Sequence, residues 1–362
     1  MTRDDMRAQH IGDWLRTLNF PLARLEPASN DASFRRYFRA WRADGATRVV
    51  MDAPPEKESI APFVKVARLL QRCGVHVPEI DALDQAHGFV LMEDLGSVHY
   101  LERLRAGDDA DGLYADALSA LRQIQVQGLE LAGELPPYDR RALLSEMALM
   151  PEWFCGRLLQ LELTAEDRAL LSESFELLAH EALAQPVVFV HRDYHSRNLM
   201  RLAQRNPGIV DFQDALRGPI GYDLVSLLKD CYIEWPRARV ERWVQSYRLE
   251  LQAAAGVARG VSAEQFLRWF DLIGLQRHIK VLGIFARLYF RDGKPGYLPD
   301  LPRTLQYVTQ AASLYRELAP FAAWLERRVM PLFAAANERA LAQAQSASAP
   351  IPERSGSAAA NS

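Results

Sequence analysis

Hydrophobic and polar positions follow two different periods along the chain. Residues 5–18 have apolar residues at helical spacing and predict an opening helix. After "PASNDAS", which is rich in turn-forming residues, "FRRYFRAWR" and "TRVVMDA" predict two strands joined by the turn "ADGA". A helix is predicted over 60–73, and "PEIDALDQAHGFVLMEDLG" predicts two further strands that end at Gly96. The order strand, strand, helix, strand, strand indicates a small sheet that carries one helix.

Beyond residue 97 the chain is predicted to be mostly helical. The predicted helices share apolar residues at helical spacing and cover roughly 109–128, 139–160, 164–184, 221–230, 236–255, 262–290, 302–318 and 320–342. The exception is 187–211, where two short strands flank "AQRNP". The Ala-, Ser- and Pro-rich segment 343–362 is predicted to be a disordered tail. We therefore predict an α+β fold, with a small sheet lobe over 1–95 and a large helical lobe over 96–342.

Composition and charge narrow the class of protein. The 362 residues are 49% apolar and 25% charged, the balance of a soluble globular protein, and the net charge is −3. A general nucleic-acid binder usually has a basic excess, and a transmembrane helix needs about 20 apolar residues, so we expect neither nucleic acid nor a membrane as partner. The cysteines Cys73, Cys155 and Cys231 cannot form a disulfide framework, which indicates a reducing compartment. We expect a cytoplasmic monomer.

The densest group of polar residues is "HRDYHSRNLM" at 191–200, which is followed by "GIVDFQDA" at 208–215. If the turn of the predicted hairpin centres on Gln204–Arg205, Asn198 faces Asp211 across the ladder at a distance of about 5 Å. An amide oxygen and a carboxylate at that separation suit a Mg²⁺ ion that bridges phosphates. Asp193, at the mouth of the hairpin, would accept the proton of an attacking hydroxyl. Base, amide and carboxylate in this order are typical of phosphoryl transfer.

Other interpretations of this stretch are weaker. His191 and His195 have the i,i+4 spacing of a zinc site, but they lack the glutamate of H-E-x-x-H and follow a strand instead of lying within a helix. Asp193 by itself would be a turn residue or a helix cap. The apolar strand, the spacing and the second strand that ends in aspartate together favour phosphotransfer. We interpret His191 as a hydrogen-bonded residue that braces the loop.

These segments resemble the aminoglycoside phosphotransferase and choline kinase-like family, which shares the protein-kinase fold. Within it, "MDAPPEK", "LMEDLG", "HRDYHSRNLM" and "VDFQDALRGPIGYDLVSLLKDCY" resemble the anomeric N-acetylmuramate/N-acetylglucosamine kinases of bacterial cell-wall recycling. The resemblance covers about residues 5–330. It implies a two-lobed protein-kinase-like fold, with nucleotide bound by the N-terminal lobe and with catalysis and acceptor binding in the helical lobe. It also implies ATP and Mg²⁺ as cofactors and an amino sugar that is phosphorylated at its anomeric hydroxyl.

The resemblance implies roles for individual residues of the helical lobe. Asp193 matches the catalytic base, and Asn198 and Asp211 match two metal ligands. Asp223, in "YDL", matches an aspartate that supports the catalytic loop.

In the N-terminal lobe, the resemblance implies a nucleotide site. "LMEDLG" matches the linker whose backbone binds adenine, so Glu93 and Leu95 are candidate contacts. "ASNDASFRRYF" takes the place of the phosphate-covering loop, where the small residues Ser29 and Ser33 would let backbone N–H groups approach phosphates.

The chain departs from the protein-kinase pattern at one important place. Met51 and Asp52 stand where the V-A-I-K motif has the lysine that pairs with the α- and β-phosphates. Arg35, Arg36 or Lys57 could supply the missing charge, and we include Arg36 among the candidate nucleotide-binding residues. A basic pair on a strand is also typical of a solvated face.

The acceptor site is predicted from charge. The segment after Asp211 is mixed in sign and Arg197 lies close to the base, which favours a neutral or anionic acceptor over a polycation. Arg197 and Asp214 are the predicted sugar-binding side chains. Two alternatives stay open: a kinase of an aminoglycoside or amino alcohol, and a nucleotide-binding pseudokinase, which the missing lysine suggests. The complete set of Asp193, Asn198 and Asp211 argues against the pseudokinase.

Overall fold

A small antiparallel sheet precedes a large helical part in the computed structural model, which describes residues 3–30, 35–254 and 257–348. The strands of this sheet are β1 (Leu22–Asn30), β2 (Arg36–Arg42), β3 (Thr47–Asp52), β4 (Ile80–Asp84) and β5 (Phe89–Glu93). Their order is β1-β2-β3-β5-β4. The predicted α+β class, with a small sheet followed by a large helical part, is confirmed.

Strand β1 is a correction to the sequence prediction, which assigns "PASNDAS" to turns. Pro27 lies opposite Phe38, and Asn30 lies opposite Arg36, so the strand continues through four residues of that stretch. Because β1 is at the edge of the sheet, a proline costs it little, and pairing with β2 overrides the low strand preference of Ser and Asn.

Helix α1 (Arg3–Thr17) packs against one face of this sheet. Its Ile11 and Leu15 form a buried core with five strand residues, Phe38, Ala40, Val50, Phe89 and Leu91. Since alternate residues of a strand point to opposite faces, even-numbered positions of β2 and β3 face α1 and odd-numbered positions face away from it. The sheet therefore carries α1, which the predicted order of strands and one helix leaves out, and the predicted helix 60–73 is α2 (Ala61–Arg72), between β3 and β4 in the chain.

The second part of the chain contains ten further α-helices among the residues that the structure describes. They are α3 (Tyr100–Arg105), α4 (Ala110–Gln127), α5 (Arg140–Met147), α6 (Ala165–Leu183), α7 (Gly221–Leu228), α8 (Arg237–Ala254), α9 (Ala263–Phe290), α10 (Leu301–Ser313), α11 (Ala319–Trp324) and α12 (Met330–Ser348). Segments Met150–Leu158 and Leu325–Val329 are π-helical. Helix α12 continues six residues beyond 342, into the predicted tail, and residues 349–362 lie outside the described residues.

Four short strands interrupt the helices, namely β6 (Val187–Val190), β7 (Leu199–Met200), β8 (Gly208–Ile209) and β9 (Leu216–Pro219). Strands β7 and β8 form the predicted hairpin, and β6 pairs with β9. The pairing of β6 with β9 is absent from the sequence prediction, because "LRGP" has the Gly and Pro of a turn rather than an apolar alternation. Together the two strand pairs bring segment 191–198 close to segment 210–215.

The register of the hairpin differs by one residue from the prediction. Leu199 lies opposite Ile209, so Asn198 faces Val210, whose N–H donates to the Asn198 carbonyl at 3.1 Å. A one-residue shift would normally turn Asp211 to the other side of the hairpin. Asp211 instead has a φ of 62°, the left-handed region, and this local turn directs its carboxylate to Asn198.

By its internal contacts the chain divides into two compact units. The first comprises Met1–Asp139 and Glu181–Gly274, and it contains every strand described above. The second comprises Arg140–His180 and Leu275–Ser362. Within the second unit, Trp324 donates from Nε1 to Asp167 at 2.7 Å. The lobe boundary after residue 95 stays a prediction.

None of the helices within 3–30, 35–254 and 257–348 combines the length and the apolar character that crossing a bilayer needs.

Candidate active site

The loop between β6 and β7 is anchored at its start by Asp223. This aspartate is fully buried in the first turn of α7 and accepts hydrogen bonds from the backbone N–H groups of His191, at 2.6 Å, and Arg192, at 2.9 Å. Charge-assisted bonds of this kind are stronger than neutral ones. They hold Arg192 at a φ of 84°, a conformation that costs a non-glycine residue energy. This geometry is what the predicted supporting role of Asp223 requires.

The same loop is anchored at its far end by Asp230, which the sequence analysis does not single out for this role. Asp230 accepts from the backbone N–H of Ser196 at 3.0 Å and also from the Ser196 hydroxyl. It accepts from the backbone N–H of Tyr232 at 2.9 Å as well. The sequence feature that could have indicated this role is a second aspartate seven residues after Asp223, a distance of two helical turns along the same segment.

Asp193, Asn198 and Asp211 lie together at the base of the hairpin. The Asn198 side-chain nitrogen donates to the backbone carbonyl of Asp193 at 3.0 Å and to Asp211 Oδ2 at 3.1 Å. Gln213 donates from Nε2 to Asp211 Oδ1 at 2.8 Å, a contact that the sequence analysis missed. The structure therefore brings together the three residues that the spacing D-x-x-x-x-N…D predicts, each of them partly exposed.

This arrangement fits a Mg²⁺ ion better than a zinc ion. The side-chain nitrogen of Asn198 donates to Asp193 and Asp211, so the side-chain oxygen of Asn198 is the atom suited to bind a cation beside the Asp211 carboxylate. Two hard oxygen ligands completed by phosphate oxygens and water are usual for Mg²⁺. In the described part of the chain, no group of three or more His, Cys, Asp or Glu is placed to hold a metal ion by itself.

His191 is fully buried beside Asp193, the predicted base. Its Nδ1 accepts from the backbone N–H of Asp193 at 3.3 Å, and its ring lies 5.6 Å from that of Tyr194. Burial lowers the pKa of His191 to about 4, although the negative charge of Asp193 opposes the shift. A neutral imidazole that accepts at Nδ1 is consistent with the predicted bracing role.

The buried His191 predicts a loss of stability in acid. Its folded pKa of about 4 lies below the ordinary 6.5 of the unfolded chain, so only the unfolded chain gains a proton as the pH falls from 6.5 to 4. The free energy of unfolding should fall by roughly 3 kcal/mol over this window through His191 alone. Urea unfolding of wild type and His191→Asn at pH 4 to 7.5 gives the free energy of unfolding of each protein as a function of pH. The difference between the two curves measures the contribution of His191. Parallel profiles would contradict it.

The predicted adenine linker follows β5. The side chain of Glu93 is paired with His76, whose Nε2 lies 3.1 Å from Glu93 Oε1. Leu95 is buried against Gly208 of β8, where a Cβ would come within 2.9 Å of Leu95 Cδ1. The Glu93 carboxylate is paired with His76, and the Leu95 side chain has no polar atom. The predicted adenine contact therefore remains one that the backbone of these two residues would make.

Asp94, between those two residues, is a contact that the sequence analysis missed. Arg39 donates to its carboxylate from Nε at 2.6 Å and from Nη2 at 3.0 Å, and to the carbonyl of Gly96 at 3.1 Å. Burial raises the pKa of Asp94, but hydrogen bonds from Arg39, Thr47 and Gly96 outweigh it and hold the pKa below its usual value. This ion pair ties the linker to β2.

Two of the other predicted nucleotide-binding residues, Arg36 and Ser29, lie on β2 and β1. Arg36 donates to Asp52 Oδ2 from Nη2 at 2.6 Å and from Nε at 3.2 Å, on the face of the sheet that α1 covers. Ser29 lies in β1 opposite Tyr37, and Ser33 lies outside the described residues.

On the acceptor side, Arg197 and Asp214 differ in their surroundings. The guanidinium of Arg197 lies 3.8 Å from the centre of the Tyr232 ring, a cation–π contact that restrains this side chain of the loop between β6 and β7. The ring of His195 lies 5.4 Å from the same tyrosine. Asp214 is exposed. Residue spacing does not predict such a ring contact, because it depends on how distant segments fold onto the loop.

Comparison with known proteins relates this site to a family. The profile of the phosphotransferase enzyme family matches residues 24–261. A Pseudomonas aeruginosa protein named N-acetylmuramate/N-acetylglucosamine kinase is 48% identical over 327 residues, 87% of this chain and 95% of that protein. A Pseudomonas putida protein of the same name is 46% identical over 330 residues, 88% of this chain and 96% of that protein.

Solved structures resemble the chain in fold. An aminoglycoside phosphotransferase with bound ADP has a TM-score of 0.55 at 15% identity, covering 85% of this chain and 99% of that one. A choline kinase from Cryptosporidium parvum has a TM-score of 0.55 at 13% identity, covering 84% of this chain and 93% of that one. The predicted protein-kinase-like fold and the predicted family resemblance are confirmed.

Proposed function

The chain belongs to the phosphotransferase enzyme family, and on this premise we propose that it transfers the γ-phosphate of ATP to N-acetylmuramate and N-acetylglucosamine. The acceptor atom in this proposal is the anomeric oxygen, and the products are the 1-phosphates. The observation that carries the proposal is the meeting of Asp193, Asn198 and Asp211 within hydrogen-bond distance at one hairpin. The names of the relatives support the choice of acceptor.

Asp193 has the role of the base. Its carboxylate takes the proton of the anomeric hydroxyl while that oxygen attacks the γ-phosphorus of ATP. The bond between the γ-phosphorus and the bridging oxygen breaks, and ADP leaves with the electron pair. The backbone of Asp193 is fixed by Asn198 and His191, which limits the positions that its side chain can take.

Asn198 and Asp211 would hold Mg²⁺ between them and the phosphates. Bound there, the ion would neutralise negative charge of the nucleotide phosphates. Gln213 restrains one oxygen of Asp211 and Asn198 restrains the other, so the carboxylate is oriented before a nucleotide arrives.

The anomeric oxygen is the acceptor that simple acidity favours. The ring oxygen withdraws charge from the same carbon, so this hydroxyl loses its proton more readily than the other sugar hydroxyls. Arg197, stacked on Tyr232 close to the base, supplies a positive charge that suits the lactyl carboxylate of N-acetylmuramate. Asp214 is the second predicted sugar contact. The acceptor contacts of Arg197 and Asp214 belong to this proposal.

The nucleotide is proposed to bind along the N-terminal sheet and the linker. The adenine would meet the backbone at Glu93 and Leu95, which the Arg39–Asp94 pair holds to β2. The phosphates would extend toward Asp211, with Ser29 and Ser33 the predicted backbone contacts.

The product identifies the acceptor oxygen. A coupled ADP-release assay should give turnover with N-acetylmuramate and N-acetylglucosamine, and none with their methyl glycosides, because the methyl group blocks the anomeric oxygen. Phosphorus NMR of the product should show coupling between the phosphorus and the anomeric proton. An aminoglycoside and choline serve as acceptors for the alternative functions. Phosphate at C6, rapid turnover of a methyl glycoside, or preference for an aminoglycoside or choline would contradict the proposal.

A further inference from the structure

Strand β3 lacks the lysine that binds nucleotide phosphates in protein kinases, and the buried Met51 and Asp52 occupy its place. We propose that Arg35, held by Glu58, supplies this positive charge to the nucleotide phosphates. The inference rests on the proposed phosphotransferase function, and it identifies a nucleotide-binding residue and its positioning partner. Three cations near this strand are candidates, Arg35, Arg36 and Lys57, and their surroundings distinguish them.

Arg36 is engaged on the opposite side of the sheet from Arg35. Asp52, opposite Arg36 in the ladder, has no exposed surface and accepts from Arg36 and from Arg7 of α1. Arg7 in turn lies over the ring of Phe89, a member of the core that α1 forms with the sheet. A buried carboxylate with two arginine partners is a structural ion pair, since removing either arginine leaves a poorly compensated charge.

Arg35 has the opposite orientation because it precedes Arg36 by one residue. Neighbouring residues of an extended chain point to opposite faces, so Arg35 is directed away from α1. Its side chain is only 6% exposed, and its guanidinium donates to Glu58 Oε1 from both Nε and Nη2 at 2.8 Å. Glu58 lies three residues before the first residue of α2, whose Phe63 stacks on Phe212 at 4.8 Å. Phe212 directly follows the predicted metal ligand Asp211.

The electrostatics agree with this position. Burial lowers the pKa of Arg35, but the interaction with Tyr37, which includes a side-chain hydrogen bond, and the negative charges of Glu58 and Asp211 raise it above its ordinary value. Arg35 therefore lies in the field of Asp211, the carboxylate that would hold the magnesium. Lys57, by contrast, is exposed on the turn before α2.

Arginine has the chemistry for this double role. Its planar guanidinium has five N–H donors in a fixed fork, so Glu58 can hold the edge formed by Nε and Nη2 while another edge binds a phosphate. The Arg35–Glu58 pair would correspond in function to the lysine–glutamate ion pair of protein kinases. Here, however, the cation lies before β2 and its partner lies before α2.

Nucleotide binding without sugar tests this inference. Isothermal titration with Mg²⁺ should compare ADP, which has phosphates, with adenosine, which has none. Arg35→Gln is expected to weaken ADP binding roughly 10- to 100-fold, the range for a hydrogen bond to a charged group, and to leave adenosine affinity unchanged. Arg35→Lys should recover part of the lost ADP affinity. Lys57→Gln is the matched control, because it removes a nearby positive charge and should leave the ratio of the two affinities as in the wild type.

Glu58 gives a second measurement. Glu58→Gln should weaken ADP binding less than Arg35→Gln does, and it should have no further effect in the Arg35→Gln background, because Glu58 acts through Arg35. Arg36→Gln should lower Tm through the loss of an Asp52 partner, with the ADP-to-adenosine ratio preserved.

The outcomes separate this inference from the proposed function. Unchanged ADP affinity in Arg35→Gln would overturn the inference while leaving the kinase assignment intact. The same holds if Lys57→Gln or Arg36→Gln loses as much ADP affinity as is expected for Arg35→Gln. Adenosine affinity that falls as much as ADP affinity in Arg35→Gln would also overturn it. A wild-type protein that binds neither ligand would instead contradict the proposed function.

Discussion

Replacing Asp193 with asparagine is expected to lower kcat by roughly 10²–10⁴-fold, the usual contribution of a general base. The asparagine keeps the size of the side chain but cannot accept the proton of the sugar hydroxyl. ATP affinity should change little, because the proposed role of this carboxylate is toward the acceptor. The measurement is steady-state turnover with N-acetylglucosamine together with a nucleotide titration of the same preparation.

Asp223→Asn is the matched control for this substitution. It makes the same chemical change at a buried position that accepts two backbone N–H groups, so it should remove one acceptor and cost about 1–3 kcal/mol of stability. Asp193→Asn should keep the wild-type Tm, whereas Asp223→Asn should lower Tm. Turnover close to that of the wild type in Asp193→Asn would remove Asp193 from the mechanism.

Replacing Asp211 with asparagine should abolish the dependence of nucleotide affinity on Mg²⁺. The change removes the only charge that the chain's two proposed ligands bring to the ion, so we expect at least a roughly tenfold loss of ADP affinity in the presence of Mg²⁺. Asparagine is a better choice than alanine, because Asp211 has a φ of 62° and asparagine tolerates this backbone conformation more readily. Titrations of ADP with Mg²⁺ and with a chelator measure the effect.

Two further variants make this test specific. Asp214→Asn removes the same charge three residues away at an exposed position and should retain Mg²⁺-dependent ADP binding. Asn198→Ala should be milder than Asp211→Asn, since a neutral amide contributes less to holding a divalent cation. If both titrations of Asp211→Asn matched those of the wild type, the metal assignment would fail.

Most of the secondary structure was predictable because it depends on local periodicity. Helix α2 has six buried residues spaced along one side, and its predicted bounds, 60–73, differ from Ala61–Arg72 by one residue at each end. The exceptions have a common cause. Strand β1 with Pro27, and β9 with its Gly and Pro, form only because a partner strand elsewhere in the chain supplies hydrogen bonds.

Much of the candidate site could also be predicted from the sequence. The spacing of Asp193, Asn198 and Asp211 is a property of the chain, and a hairpin of that length brings them together. The hairpin register was wrong by one residue, and the positive φ of Asp211 restores the contact. A sequence pattern does not specify such a φ at an aspartate, because aspartate occurs in both the extended and the left-handed regions.

The sequence by itself determined the family, the predicted base and metal ligands, and the division into a small sheet and a large helical part, since each depends on local spacing and residue type. Only the tertiary structure decided which basic residue is directed to which face of the sheet. That choice depends on α1, whose Arg7 binds Asp52 together with Arg36, while Arg35 pairs with Glu58 away from α1. Adjacent arginines look alike in a sequence, and they differ in the structure because the face that α1 buries determines the partner of each.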